Sequence, residues 1–283
     1  MEVLSHDLAA RLAAAVDSMP AFPQSVQKIL DLTRDMACSP KDLVQVIDKD
    51  PVVTVKVLRV VNSAYYGLSN PITSIDHAVV FLGFNTIKNL ALSIAAIGML
   101  PSQALTGFDS QRYLMHSLTT AGIARQLAQT LPQTDSHDCF IAGLLHDFGK
   151  VVVAQFMPVE FKRAMELSLW QEVPLHMTVQ QVLGVDHTTI GAMLVRKWRF
   201  ADELVETIEY QHQPEKSDTA MMACVCAANQ VSKILGLDFG GYPGAQELAP
   251  TVSARLGGTL EYVGEQLGDL SALVDQAQLL SRA

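Results

Sequence analysis

The chain has 283 residues, 49% of them hydrophobic, and a formal net charge of −9 with a pI near 5.3. This is enough apolar material for one large core or two modest ones, which excludes a disordered chain. The acidic balance repels phosphate backbones and anionic membrane surfaces, so nucleic acid and membrane are set aside as partners.

Helix punctuation then runs from end to end. Ser39-Pro40-Lys41-Asp42 supplies an N-cap, a proline at the first helical position and a first-turn acid, with Leu43, Val46 and Ile47 following at helical spacing. Asp50-Pro51 opens a second helix, although Val53-Thr-Val55-Lys-Val57 alternates like a strand. The pattern continues through Leu58 and Val61, outlasting a typical strand, so a helix is expected. Further helices follow at Ser74–Leu82, stopped by Gly83, and from Asn85 to about Leu100, stopped by Pro101. From Ser110 to about Thr130, Leu114, Leu118, Ala121, Ala124, Leu127 and Ala128 outline one apolar face. The segment Ser136–Asp147 is apolar almost all round from Cys139 to Leu145, the pattern of a centrally buried helix. Pro158 opens another, and Thr188–Trp198, Ala201–His212 and Ser217–Leu235 complete the middle. The tail, Thr251–Ala283, holds two or three short amphipathic pieces broken by Gly257-Gly258 and Gly268. With no strand series and no repeat, the fold class is all-α, with a boundary near Pro101–Asp109.

The four cysteines, Cys38, Cys139, Cys224 and Cys226, lie in apolar surroundings, and Cys-x-Cys matches neither a zinc knuckle nor a redox Cys-x-x-Cys. Buried thiols in a reducing cytosol are expected. The opening MEVLSHDLAARLAAAV has early acids and no basic segment ahead of an apolar block, so it is not a signal peptide. The most apolar run, Leu90–Leu100, is broken by Ser93 and falls short of the roughly 20 residues a bilayer crossing needs. A cytoplasmic protein is expected.

His-Asp occurs three times. His6-Asp7 reads as a solvated helix start, and His137-Asp138, after Ser136, places an acid at the positive end of a helix dipole. His146-Asp147 differs because it ends the buried helix and carries two polar groups to the core. Left unpaired there, they cost on the order of several kcal/mol. Candidate partners lie on other helices: His116 among Ser117, Thr119, Thr120 and Ala121, His187 at a helix start after Gly184, and His212 at a helix end before Pro214. Each alone reads as a packed or capping histidine. As a series they can converge around one or two metal ions.

The stretch IDKDPVVTVKVLRVVNSAYYGLSNPITSIDHAVVFLGFNTIKNLAL, with Asp50-Pro51, Asn62-Ser63, Tyr65-Tyr66-Gly67, Ile75, Ala78 and Leu82-Gly83, resembles the HD-related output domain (HDOD) family. The likeness continues through HSLTTAGIARQLA, FIAGLLHDFGK, DHTTIGAMLVRKW and CAANQVSKILG. The resemblance covers nearly all of residues 18–240. It implies an all-α, HD-domain-like helical bundle: an N-terminal helical lobe over 1–105, an HD-like helical lobe over 106–245 and a helical tail over 246–283. It also implies a metal set, in which His116 matches the early histidine, His146 and Asp147 the pair, and His187 and His212 the additional histidines. The late aspartate of HD hydrolases falls on Asn229.

Asparagine offers a dipole where aspartate offers a full charge, which leaves Asp147 as the one carboxylate in that set. Hard ions such as Mg²⁺ should be held poorly, whereas a histidine-rich set suits softer metals. The expected cofactor is one or two divalent transition-metal ions, iron, zinc, nickel or manganese, or else the site is left metal-free. The cyclic di-GMP-hydrolysing branch of the superfamily needs a second His and a Glu after the position of His212, where this chain has QHQPEKSD. The GGYP string at Gly240–Pro243 lies outside that motif's spacing and reads as a turn.

Two functions follow from the resemblance. The first is a stand-alone bacterial signal-transduction module acting on signalling protein partners or a small phosphate-containing ligand. The second is a metal-dependent phosphohydrolase acting on a nucleotide or other phosphate ester, with Asp147 and Lys150 as catalytic residues. Lys150 otherwise reads as a cation at a helix C-terminus, favoured by the dipole. The cluster Arg196, Lys197 and Arg199 around Trp198 reads as a solvated helix end, and nucleic-acid binding is a remote third reading.

Overall fold

The computed structural model describes residues 6–21, 24–34, 39–68, 70–100, 107–132 and 134–282, apart from the side chains of residues 6, 7, 30, 33 and 34. Cys38, residues 101–106 of the expected boundary and the side chains of His6-Asp7 fall outside that description. In chain order the helices are α1 (His6–Ser18), α2 (Gln24–Arg34), α3 (Pro40–Asp48), α4 (Pro51–Val61), α5 (Ile75–Leu82), α6 (Phe84–Gly98), α7 (Ser110–Ala128), α8 (Ser136–Leu145) and α9 (Phe148–Phe156). They continue as α10 (Pro158–Gln171), α11 (Leu175–Leu183), α12 (His187–Lys197), α13 (Asp202–Tyr210), α14 (Ala220–Ile234), α15 (Pro250–Leu256), α16 (Leu260–Leu267) and α17 (Ser271–Ser281). No strand occurs among the described residues. The fold is all-α, as the periodicity predicts.

The chain forms two compact units, one of residues 1–20 with 100–270, the other of 21–99 with 271–283. In the second, α2–α6 pack with α17. Asp50 caps α4 by accepting from Val53 N, and Ser25 Oγ donates to Asp50 Oδ2 at 2.7 Å. Asn62 pins the connection to α5: its Nδ2 donates to Leu58 O and Ile72 O at 2.9 and 2.7 Å, and its Oδ1 accepts from Ile72 N at 2.7 Å. The β-branched run at 53–57 is therefore helical, because capping at Asp50 and burial of Val53, Val57, Val60 and Val61 outweigh local strand preference.

The grouping differs from the lobes expected at 1–105, 106–245 and 246–283. Helix α1 packs on α9 and α12, and the tail divides, with α15 and α16 beside α14 and α17 beside α6. Lys197 holds α1 in place by donating to the carbonyls of Val16, Asp17 and Met19 at 2.9, 2.8 and 3.3 Å, and Trp198 Nε1 donates to Pro20 O at 3.2 Å. Arg196 pairs with Glu209 at 2.6 Å. The basic cluster is thus not simply a solvated helix end, because Lys197 and Trp198 anchor a helix C-terminus some 180 residues earlier in the chain.

Helices α7, α8 and α14 form the centre of the larger unit and are buried along most of their lengths. Among the described residues, Ser136–Phe156 rather than Leu90–Leu100 is the apolar segment long enough to cross a bilayer, but 89% of its most apolar 18 residues are buried inside the unit. It is core, not surface. A turn at 146–147 divides it into α8 and α9. Helix α8 begins at Ser136 as expected, and Asp135 caps it by accepting from His137 N and Asp138 N.

Two glycines set how closely these helices approach. A Cβ on Gly143 would stand 2.8 Å from Ala121 Cα of α7, and one on Gly149 would overlap the His187 carbonyl of α12 and stand 2.8 Å from Gly191 N. Backbone, unlike a side chain, has no rotamer by which to give way. Gly149→Ala is therefore expected to destabilise the protein by about 3 kcal/mol or more, read as a fall in denaturation midpoint; an unchanged midpoint would contradict the α9–α12 packing.

Candidate metal centre

The turn between α8 and α9 puts Asp147 at the middle of the larger unit, where its carboxylate is almost entirely buried. Its Oδ2 faces His116 Nε2 from α7 and His146 Nε2, each at 3.4 Å, and accepts from Lys150 Nζ at 2.7 Å. Its Oδ1 faces His187 Nε2 from α12 at 3.0 Å. Burial opposes ionisation of Asp147, but the neighbouring His146 and His116 imidazoles and the Lys150 ammonium outweigh it, holding the carboxyl well below the usual range.

The histidine rings are oriented from behind. His146 Nδ1 lies 2.7 Å from the Gly143 carbonyl. A carbonyl can only accept, so Nδ1 carries the proton and Nε2 keeps its lone pair in the neutral ring. Gln211 Nε2 donates to the His146 carbonyl at 2.7 Å. His116 Nδ1 lies 3.2 Å from Ser232 Oγ on α14, and burial pushes that imidazole down to about 4, leaving it neutral at pH 7. Both Nε2 atoms are buried without a hydrogen-bond partner. Orphaned buried nitrogens on rings fixed from their far side are what a metal-ligating set requires.

A second group lies alongside. Asp186 Oδ1 stands 2.6 Å from His187 Nδ1, and its Oδ2 is 4.0 Å from His212 Nε2. The ligand atoms of Asp186, His187 and His212 all lie within 4.8 Å of one another, as do those of His116, His146 and Asp147. Asp186 is in the N-cap position of α12 but makes no capping bond. Its carboxylate instead accepts from Thr188 Oγ1 at 3.1 Å and faces the two imidazoles. Burial lowers the affinity of His187 for a proton, but Asp186 and Asp147 on either side raise it further, with a net upward shift. His212 has no such flanking pair, and burial carries it well below the ordinary range. His176 of α11 stacks on His212 with centroids 3.8 Å apart.

The structure thus gathers His116, His146, Asp147, Lys150, His187 and His212. Asn229 is close by: it lines a cavity of about 20 Å³ with Lys150, His187 and His212, and its Oδ1 is buried without a partner. Two sequence expectations are corrected. Asp147 is not the one carboxylate, because Asp186 supplies a second. Lys150 is not a helix C-terminal cation, because it lies in the first turn of α9, where the dipole disfavours it and the ion pair with Asp147 holds it. Gly240 and Tyr242 of the GGYP turn line the same small cavity. Asp186 and His176 escaped the sequence reading, although the Asp-His step in GVDHTT repeats the chemistry of His146-Asp147 in reverse order.

The residues fit a transition metal. Each group is two histidines and one carboxylate, a set suited to iron or zinc rather than to the all-oxygen shells of calcium and magnesium. Asp147, turning one oxygen to each group, is placed to bridge them.

Comparison with known proteins agrees with this architecture. Residues 19–214 match the HDOD domain family. An uncharacterised protein of Treponema pallidum is 28% identical over 233 residues, covering 81% of this chain and 45% of that protein. The chain therefore spans less than half the length of this curated relative. Among solved structures, a proposed signal transduction protein from Marinobacter aquaeolei superimposes with a TM-score of 0.79 at 25% identity, covering 97% of this chain and 66% of the other. A proposed phosphohydrolase from Shewanella amazonensis has a TM-score of 0.74 at 23% identity, covering 96% and 97% respectively, and shares the fold. With more than half its length matched to the family and an all-helical unit built around His146-Asp147, this chain belongs to the HDOD domain family.

Proposed function

We propose that this chain is a cytoplasmic bacterial signal-transduction regulator whose His/Asp centre holds one or two divalent transition-metal ions, and whose output is binding of a protein partner or small ligand rather than turnover. One observation carries the reading. His116, His146, Asp147 and His187 are sealed from solvent, and the cavity against Lys150, His187, His212 and Asn229 has a volume of about 20 Å³, room for roughly one water molecule. A phosphate ester does not fit there. The similarity to the Marinobacter signal transduction protein supports the same reading.

In such a centre the chain's own groups position and neutralise. The Gly143 carbonyl and Ser232 fix the ring planes of His146 and His116, Gln211 holds the His146 backbone, and Lys150 balances the Asp147 charge. A transition metal, if bound, would be held by these histidines and carboxylates and would supply Lewis-acid activation where a phosphoryl group could reach it.

A second reading, a metal-dependent phosphohydrolase acting on a nucleotide or other phosphate ester, is favoured by the two oxygens of Asp147 facing the two groups, an arrangement that could hold paired metals. For Lys150 to contact phosphate it must leave Asp147, so in this reading the ion pair opens on substrate binding.

Metal analysis of protein purified without chelator is expected to give one or two equivalents of iron, zinc, nickel or manganese, lost in His146→Ala, with no turnover of p-nitrophenyl phosphate or cyclic nucleotides. Metal-dependent turnover that disappears in His146→Ala would overturn the regulatory reading in favour of the hydrolase. Metal-free, folded protein would remove the metal from both.

The two carboxylates give a sharper expectation. Asp186→Asn should weaken the second site roughly 10–100-fold in chelator competition while leaving the first loaded, and Asn229→Asp should tighten retention. Equal metal content and chelator resistance in Asp186→Asn would exclude Asp186 as a ligand.

A further inference from the structure

His116, His146, Asp147 and His187 are sealed from solvent, so an ion reaches them only if some part of the wall moves. Two cavities adjoin the centre, the small one described above and a larger one of about 210 Å³, and His176 and His212 line both. One stretch of chain closes the two together. Gly240 and Tyr242 line the small cavity, and Gln246, Glu247 and Leu248 line the larger. The remaining walls stand almost entirely on helices and the turns at their ends.

Residues 240–248 are the part of the wall least held in place. They form no helix, and Tyr242 through Glu247 are exposed. Among the described residues, two hydrogen bonds tie the stretch to the helices: Tyr242 N donates to Ser168 Oγ of α10 at 2.8 Å, and Gln246 N donates to Gln230 Oε1 of α14 at 2.7 Å. The flanks are fixed by contrast. Phe239 is buried against Phe108 and Tyr113, with ring centroids 4.7 and 5.4 Å apart, and Arg112 Nη2 donates to the Asp238 carbonyl at 3.1 Å. At the other end Val252 is buried in α15. A segment with few buried contacts opens at far lower cost than the helices it covers.

Gly240 and Gly241 stand where the fixed part meets the exposed part, both at positive φ, 76° and 75°. Glycine moves between backbone regions with little penalty, as a hinge requires. Gly241 also shows how closely the stretch is shut, since a Cβ there would stand 2.6 Å from Ser168 Oγ and 3.0 Å from Leu175 Cβ.

We propose that residues 240–248 form a lid, hinged at Gly240-Gly241 and latched on Ser168 and Gln230, and that a metal ion enters and leaves the His/Asp centre when this lid opens. The lid stands on the geometry of the segment; its use as a gate rests on the regulatory reading, in which the centre holds an ion.

The test follows both latches in the full chain. Gly241→Ala disfavours the closed position through strain and contact with Ser168, and is expected to speed hydrogen exchange of Gln246 N, at the far end of the lid, roughly tenfold or more. Gln230→Ala removes the other latch and is expected to speed exchange of Tyr242 N roughly threefold to tenfold. Amides of α7 and α8 should keep their rates, and EDTA should extract zinc from zinc-loaded protein faster by the same factors. Either variant alone carries the test. Exchange that rises only at the amide whose own latch was altered, or equally in α7 and α8, would overturn the lid. Zinc that is bound but leaves at an unchanged rate would overturn the gate and spare the metal reading. Protein that takes up no zinc would overturn that reading and the gate with it, while the exchange rates still decide the lid.

Discussion

A carboxylate sealed from water has to find its counter-charges inside the protein, and the larger unit is arranged around that requirement at Asp147. The penalty for burying the ion is several kcal/mol even after relaxation. It is met by groups from four different elements: His116 of α7, His146 at the end of α8, Lys150 of α9 and His187 of α12. Each helix must come close enough to deliver its group. That explains why Gly143 and Gly149 face backbone atoms of α7 and α12 where a methyl group would not fit. Close helix approach and charge neutralisation are here one constraint seen from two sides.

The same constraint gives Asn229 a physical meaning. The resemblance to HD hydrolases implies an acid on α14 where this chain has Asn229, yet a second, mostly buried carboxylate is present nearby. Asp186, at the start of α12, gives up the capping role its position offers and turns toward His187 and His212. His187 then stands between two carboxylates, with Nε2 on Asp147 and Nδ1 on Asp186, which is why its proton affinity rises while those of His116 and His212 fall. An acid added at position 229 would bring a third carboxylate beside Lys150; an asparagine leaves the charge divided between two faces of one imidazole.

Much of this was legible in the sequence. Helices α7, α8 and α14 follow from long apolar periodicities bounded by Asp, Ser and Thr caps, and the convergence of His116, His146, His187 and His212 follows once those helices are assigned. Helix α11 was missed because it is nine residues long, between Pro174 and Gly184, and His176 was missed with it. Helix α9 goes unassigned in the sequence, where one helix ends at Asp147 and the next opens at Pro158, because no cap or proline marks a start at Phe148. Lys150 was misread for the same reason, since a residue placed after one helix proved to lie in the first turn of the next. Asp186 has the sequence signature of a cap, and only the structure shows its side chain turned away from that task. The grouping of α1 with residues 100–270 depends on Lys197 and Trp198, which no local pattern connects to it.

Two neighbouring cavities of the larger unit share elements, and this bears on how binding could be transmitted. Asn229 and Gln230 are consecutive on α14, one lining the small cavity at the His/Asp centre and the other the larger cavity beyond it, while His176 and His212 line both. Gln211 connects them most directly. Its Nε2 holds the carbonyl of His146, and the residue itself lines the larger cavity. Anything bound in the larger cavity that shifted Gln211 would therefore also shift the group that holds the His146 backbone. Coupling of this kind requires only that the ligand interact differently with two arrangements of the Gln211–His146 pair. A centre closed to phosphate esters can thus take part in regulation through the order of its ligands, without chemistry at the metal.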